Sequence, residues 1–176
     1  MRKIGIIAVL ALMVTALAAV PALAATTTTI DFSNAPSGAH FKGAARPSCS
    51  INGTTVTCSS YQIAGVGNTN ADATLQVNYT ATVDCRNHGG KIVPVKSSVQ
   101  GATTDTGSIA PRNGVLVVPQ LSDATPPRAG QFLSQATCPN GNWTKELQEG
   151  TIRVSGFTYT LTFVGFNEPV VKIVNP

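Results

Sequence analysis

Apolar and polar residues alternate without a break along "TLQVNYTATVDC". Leu75, Val77, Tyr79, Ala81, Val83 and Cys85 take the odd positions, and Gln76, Asn78, Thr80, Thr82 and Asp84 take the even ones. A period of two sends successive side chains to opposite faces of an extended chain. Leu75 to Cys85 is therefore predicted to be the longest strand, with its odd face turned to a core. The same period recurs in "TIRVSGFTYTLTFVGF", where Phe157, Tyr159, Leu161 and Phe163 oppose Thr158, Thr160 and Thr162.

Shorter runs fill in the rest. "TTTTIDF" (Thr26 to Phe32) reads as a first strand or a solvated arm, and "CSINGTTVTC" as a hairpin. "KIVPVKSSVQ" is extended, with Pro94 marking a sheet edge or a bulge because proline cannot donate to a ladder. "NGVLVVPQL" is a strand entered from an Asn113-Gly114 turn, and "PVVKIV" would close the sheet. "AHFKGAARP" is irregular, and Ser122 to Asn142, the longest stretch without a pattern, is read as a loop. Helical periodicity is hard to find. Roughly eight or nine short strands between turn signals predict an all-β, single-domain antiparallel β-sandwich of the immunoglobulin-like kind.

The first residues change the picture of where the protein works. "MRKIGIIAVLALMVTALAAVPALA" begins with Arg2 and Lys3, continues as an apolar run from Ile4 to Val20, and ends in Ala22-Leu23-Ala24. A positive start, an apolar middle and a small-x-small triplet make a secretory signal peptide, expected to be cut after Ala24. Its apolar run is near the lower limit for a retained membrane anchor, and no later stretch is apolar enough to cross a bilayer. Residues 1–24 are thus the expected leader and 25–176 the expected β-sandwich domain, secreted or held at the cell wall. Removing 24 of the 176 residues leaves 152, enough for one domain with a sizeable core.

The leader takes two of the 12 basic residues and none of the 8 acidic ones, so the remainder carries a formal charge of only +2. With no basic run, that surplus argues against a nucleic-acid partner. Charged residues make up 11% of the chain, while Thr, Ser, Asn and Gly abound, which suits an extracellular β-protein better than a helical enzyme.

All four cysteines, Cys49, Cys58, Cys85 and Cys138, follow the leader, and an even number in an exported chain predicts two disulfides. Three pairings are formally open. If Gly53-Thr54 makes a type II′ turn, Cys49 lies opposite Cys58, Ile51 opposite Val56 and Asn52 opposite Thr55. The 49/58 pair is then a non-hydrogen-bonded one, where side chains come closest and a disulfide fits. A type I′ turn at Asn52-Gly53 would instead leave Cys58 only diagonal to Cys49. The first register is preferred, and Cys85 is left for Cys138.

From "IAGVGNTNADATLQVNYTATVDCRNHGG" to "CPNGNWTKELQEGTIRVSGFTYTLTF", roughly residues 58 to 163, the chain resembles a group of small uncharacterised exported bacterial β-rich proteins. These carry a C-x-N-x-G-G turn at the end of one strand and a later C-P-N-x-x-W segment leading into the next. The resemblance implies a β-sandwich-like fold and pairing of the two motif cysteines, here Cys85 and Cys138. His88 stands where that group usually has a proline, so the turn can differ. The group brings no activity with it.

Candidate chemistry is sparse. His88 close to Cys85 suggests a Cys–His nucleophile pair, but an oxidised cysteine is no thiolate, and a turn histidine before Gly89-Gly90 is the expected reading. His40 is the only other histidine, so no zinc spacing appears, and no carboxylate-rich calcium loop does either. No G-x-S-x-G elbow is present, "GVGN" (Gly65 to Asn68) lacks the glycines and helix of a phosphate loop, and no carboxylate pair is marked for glycoside hydrolysis. No cofactor is expected.

Trp143, the only tryptophan, is read as packing on the 85–138 disulfide, as a core tryptophan does in immunoglobulin domains. With Tyr61, Tyr79 and Tyr159 it could instead form an aromatic platform for sugar. Asn52, Asn78 and Asn142 begin formal glycosylation sequons. Trp143 and His88 are the candidate binding-surface residues. The expected function is a non-enzymatic binding or structural module for an extracellular protein or glycan. The alternatives are an extracellular hydrolase whose site forms only in space, with His40 or His88 beside an acid and a serine, or an inhibitor of secreted proteases presenting Ser122 to Phe132.

Overall fold

The computed structural model describes residues 25–176, so the expected leader at 1–24 lies outside them. Twelve β-strands and one short α-helix follow one another: β1 (Thr27–Ile30), β2 (His40–Phe41), β3 (Cys49–Asn52), β4 (Thr55–Cys58), β5 (Tyr61–Ala64), β6 (Ala71–Arg86), β7 (Ile92–Ile109), β8 (Val115–Val118), β9 (Leu121–Asp123), α1 (Ala129–Gln135), β10 (Thr144–Leu147), β11 (Arg153–Phe163) and β12 (Val171–Asn175). The chain is mostly β, and every strand pairing is antiparallel.

The large sheet runs β1-β12-β11-β6, with β7 on the far side of β6. β10 continues the line of β11 along the same flank of β6, facing Val83 to Arg86 while β11 faces Ala71 to Thr80. The gap between them is bridged by Gln148 N–H on Thr82 O (3.0 Å) and by Thr82 N–H on Thr151 Oγ1 (3.1 Å). Two three-stranded sheets, β2-β5-β8 and β3-β4-β9, complete the fold. Tyr61↔Val118 and Cys58↔Leu121 keep one register across the break between them, which falls where Pro119 cannot donate a ladder bond.

The period-two reading explains the core. Every odd residue from Ala71 to Cys85 is buried, and so are Phe157, Tyr159, Leu161 and Phe163. All of these except Cys85 join Val56, Ile63, Leu116, Val118 and Ile173 in one apolar cluster that draws side chains from all three sheets. At fully buried aliphatic and aromatic positions each side chain contributes about 1.5–3 kcal/mol of transfer free energy. Tyr61 and Tyr159 share a hydroxyl–hydroxyl hydrogen bond of 3.1 Å inside this cluster, so neither polar tip is left unpaired.

Turn chemistry sets the registers. Gly53 has φ +62° at the first position of the two-residue β3–β4 loop, as a type II′ turn requires, and the observed pairs are Cys49↔Cys58, Ile51↔Val56 and Asn52↔Thr55. Asn113 (φ 49°) and Gly114 (φ 73°) are both left-handed, the signature of a type I′ turn, and lead into β8.

Two segments depart from the sequence reading. β7 does not stop near Gln100 but runs 18 residues to Ile109 along the edge of the large sheet. It shifts register opposite Ala73 and opposite Val77, and Pro94 lies on this edge strand. Bulges of this kind twist an edge and make it a poor template for further pairing. The stretch from Ser122 to Asn142 is not a bare loop either. Ser122 and Asp123 pair with β4, and α1 buries Phe132 completely.

Candidate functional site

Both disulfides form, Cys49 to Cys58 and Cys85 to Cys138, and no described cysteine is free. The first closes its hairpin at a Cα separation of 4.0 Å. The second reaches from the buried end of β6 to the segment after α1, with Cα atoms 5.7 Å apart and a sequence separation of 53. Oxidised sulfur at position 85 removes the thiolate that a Cys–His pair would need.

This second cystine organises one end of the molecule. β6 turns into β7 at Asn87 to Lys91, where Asn87 N–H donates to Lys91 O (3.0 Å) and Asn87 Oδ1 accepts from Lys91 N–H (2.8 Å). The side-chain amide thus takes the role of a backbone group and closes the loop. His88 stands exposed at the tip. Beside it, Thr144 pairs with Arg86 and its hydroxyl donates to Arg86 O at 3.2 Å, which brings Trp143, one residue earlier, alongside the turn. The two candidate binding residues therefore lie on neighbouring segments at the same end.

Trp143 is half-buried and outside the apolar core cluster, so it does not occupy the place of a core tryptophan. It lines a surface hollow of about 380 Å³ together with Thr137, Cys138, Asn140, Gly141 and Lys145. The physical reason lies in its position. Trp143 sits on the last loop residue before a short strand, outside the alternation that would point it inward.

Several contacts hold the hollow's walls. Phe132 is fully buried, and its carbonyl accepts from the Ser97 hydroxyl (2.7 Å) and from Ala136 N–H (3.0 Å). Lys145 Nζ donates to Leu133 O at 3.0 Å. Arg86 and Glu146 form a half-exposed ion pair at 3.6 Å, which adds orientation more than stability.

The aromatic platform does not assemble. Tyr61, Tyr79 and Tyr159 are buried in the core at 2%, 0% and 1% exposure, so none can face a sugar beside Trp143. Burial raises the Tyr61 and Tyr159 hydroxyls above their ordinary range. Burial and then the neighbouring Asp123 carboxylate push Tyr79 up to about 12, while its hydroxyl donates to Thr54 O at 3.3 Å.

The remaining candidates stay apart. His40 is exposed on β2, with Nδ1 2.8 Å from Gly38 O. No hydrogen bond among the described residues links either histidine to a carboxylate or a serine. No group of three or more His, Cys, Asp and Glu that could hold a metal ion occurs among the described residues. Asn52, Asn78 and Asn142 are all exposed. No described helix is long and apolar enough to cross a membrane.

Sequence reasoning missed the walls of the Trp143 hollow. The signal for α1 was Phe132, Leu133 and Ala136 at helical spacing after Pro126-Pro127, too short a run to stand out. No family model, curated protein or solved structure matches the chain.

Proposed function

We propose that the chain is an exported, non-enzymatic binding module on an immunoglobulin-like β-sandwich, and that it holds an extracellular glycan or protein at the end bearing Trp143 and His88. The reading rests on one observation above all: the sole tryptophan is half-exposed over a hollow whose walls are fixed by a cystine and a helix plug. An aromatic face kept out of the core by a rigid frame is a low-entropy contact surface. The hollow's 380 Å³ is at the small end of the range for ligand sites, which suits one sugar unit or one side chain. Two disulfides in the described chain are compatible with an oxidising, extracellular setting, and the Cys85–Cys138 pairing is the one implied by the exported bacterial group it resembles.

The hydrolase reading needs a histidine held by an acid, whereas His40 is engaged by a backbone carbonyl and His88 projects from a turn. The inhibitor reading needs a free convex loop, whereas Ser122 is paired in β9 and Phe132 is buried.

Because Trp143 is the only tryptophan, its fluorescence reports on this site alone. Titration with a panel of oligosaccharides and cell-wall fragments should give a saturable change in emission for at least one of them. The same ligand should lose its affinity for Trp143→Ala while that variant keeps its fold. Silent emission across the panel, with ligand binding that survives Trp143→Ala, would move the site elsewhere.

A further inference from the structure

A second hollow, of about 390 Å³, lies where the chain leaves β2 and passes over β5 and β8. Lys42, Gly43, Ala44, Ala45, Ser60, Tyr61 and Gln62 line it, and Val117 forms an apolar wall. We propose that this hollow binds an anionic group, carboxylate or phosphate, carried on a small saccharide. It is independent of the Trp143 end.

The loop is built to a definite shape. Lys42 N–H donates to Gln62 O at 2.9 Å, extending the β2–β5 pairing by one residue. Gly43 then turns the chain with φ +78°, a conformation that costs other residues energy. Arg46 clips the loop. Its guanidinium carbon lies 4.8 Å from the Phe41 ring centroid, and Nη1 donates to Gly43 O (2.9 Å) and Ala45 O (3.0 Å). A stacked, hydrogen-bonded arginine keeps its charge while fixing the carbonyls it holds.

Two loop carbonyls are therefore committed to Arg46, whereas the amides of Gly43, Ala44 and Ala45 have no acceptor among the described residues. Free consecutive amides next to a cation are a recurrent way of holding an anion. Lys42 adds that cation. The one ion pair among the described residues is Arg86 with Glu146, so the Lys42 ammonium is not neutralised internally.

Charge is also partitioned along the chain. No Asp or Glu occurs from Ser33 to Asn70 or from Thr106 to Ser122, the spans that supply β2, β3, β4, β5 and β8, whereas Lys42, Arg46 and Arg112 all fall there. An incoming anion meets no carboxylate from these spans. Ser60 and Gln62 offer polar partners to sugar hydroxyls, and Val117, 54% exposed, offers an apolar surface for a ring face.

The test is an amide NMR titration of the full secreted protein with three probes: inorganic phosphate, trigalacturonate and the neutral maltotriose. Saturable shifts confined to Gly43, Ala44, Ala45, Ser60 and Gln62 with an acidic probe, and none with maltotriose, are expected. Lys42→Gln should weaken that binding about tenfold, and added salt should weaken it in the wild type. Response to phosphate alone assigns a phosphate-bearing ligand, and response to trigalacturonate alone assigns a uronate. Trp143→Ala should leave the titration unchanged, which separates this site from the other end. No saturable shift with either acid, or equal affinity in Lys42→Gln, would overturn the proposal.

Discussion

The two cystines hold very different pieces of chain. Cys49–Cys58 joins strands that a type II′ turn and four facing pairs already align, so it repeats a constraint the backbone supplies. Cys85–Cys138 joins a buried strand end to a segment with few other ties: one buried phenylalanine, one short helix and the four pairs of β10. The same bond thus reinforces a local motif in one place and substitutes for missing sheet in the other. The candidate binding end belongs to the second kind, where rigidity comes from covalent and side-chain anchors.

That contrast can be broken at its strongest point first. Phe132→Ala should destabilise the protein by roughly 3–5 kcal/mol, because the cavity opens under a helix too short to collapse onto it. Urea unfolding measures the loss, and a loss below about 1 kcal/mol would mean that α1 is not a plug.

Replacing Cys85 and Cys138 together by serine should cost about 4 kcal/mol on the loop-entropy account, against about 3 kcal/mol or less for Cys49 and Cys58. Comparing the two double variants by urea unfolding checks the order. Equal losses, or a larger one at the hairpin, would erase the distinction between them.

Alkaline pH probes the hairpin side through Tyr79, whose hydroxyl anchors the β3–β4 turn at Thr54. Its folded pKa of about 12 lies above the ordinary 10.0, so stability from this group is complete below pH 10. As pH rises from 10 towards 12 the unfolded chain binds fewer protons than the folded one, and that stability is lost. Tyr61 and Tyr159 act in the same direction. Tyr79→Phe should flatten part of the decline in a pH series of unfolding curves. A wild-type stability that stays constant above pH 10 would contradict the account.

The smallest expected effect is at the turn itself. Gly53→Ala forces a side chain into φ +62° and should cost about 1–2 kcal/mol, leaving the disulfide intact. A larger loss, with the 49–58 bond no longer forming in the variant, would show that the turn controls the cystine more tightly than the pairing does.

What was legible in the sequence was whatever the backbone repeats. The odd face of β6, the aromatic face of β11, the register of Cys49 with Cys58 and the Asn113-Gly114 turn each follow from a local rule. The second half of β7, "GATTDTGSI", was not legible because an edge strand with two register shifts and one side open to solvent need not alternate. The helix α1 escaped for want of length. The half-exposed setting of Trp143 was not legible because it depends on where the 138–143 segment lands after the disulfide forms, which no periodicity encodes. The Lys42 hollow depends on Arg46 folding back over Phe41, a contact between residues that "AHFKGAARP" gives no reason to pair.

Hydrogen exchange on the Cys85→Ser/Cys138→Ser variant tests the central contrast most directly. The account predicts a local gain in exchange confined to residues 129–147 and the β6 amides that face β10, with β11 and β12 amides still protected, and no local gain confined to the hairpin in the matching Cys49→Ser/Cys58→Ser variant. Protection of residues 129–147 equal to that in the wild type would contradict it.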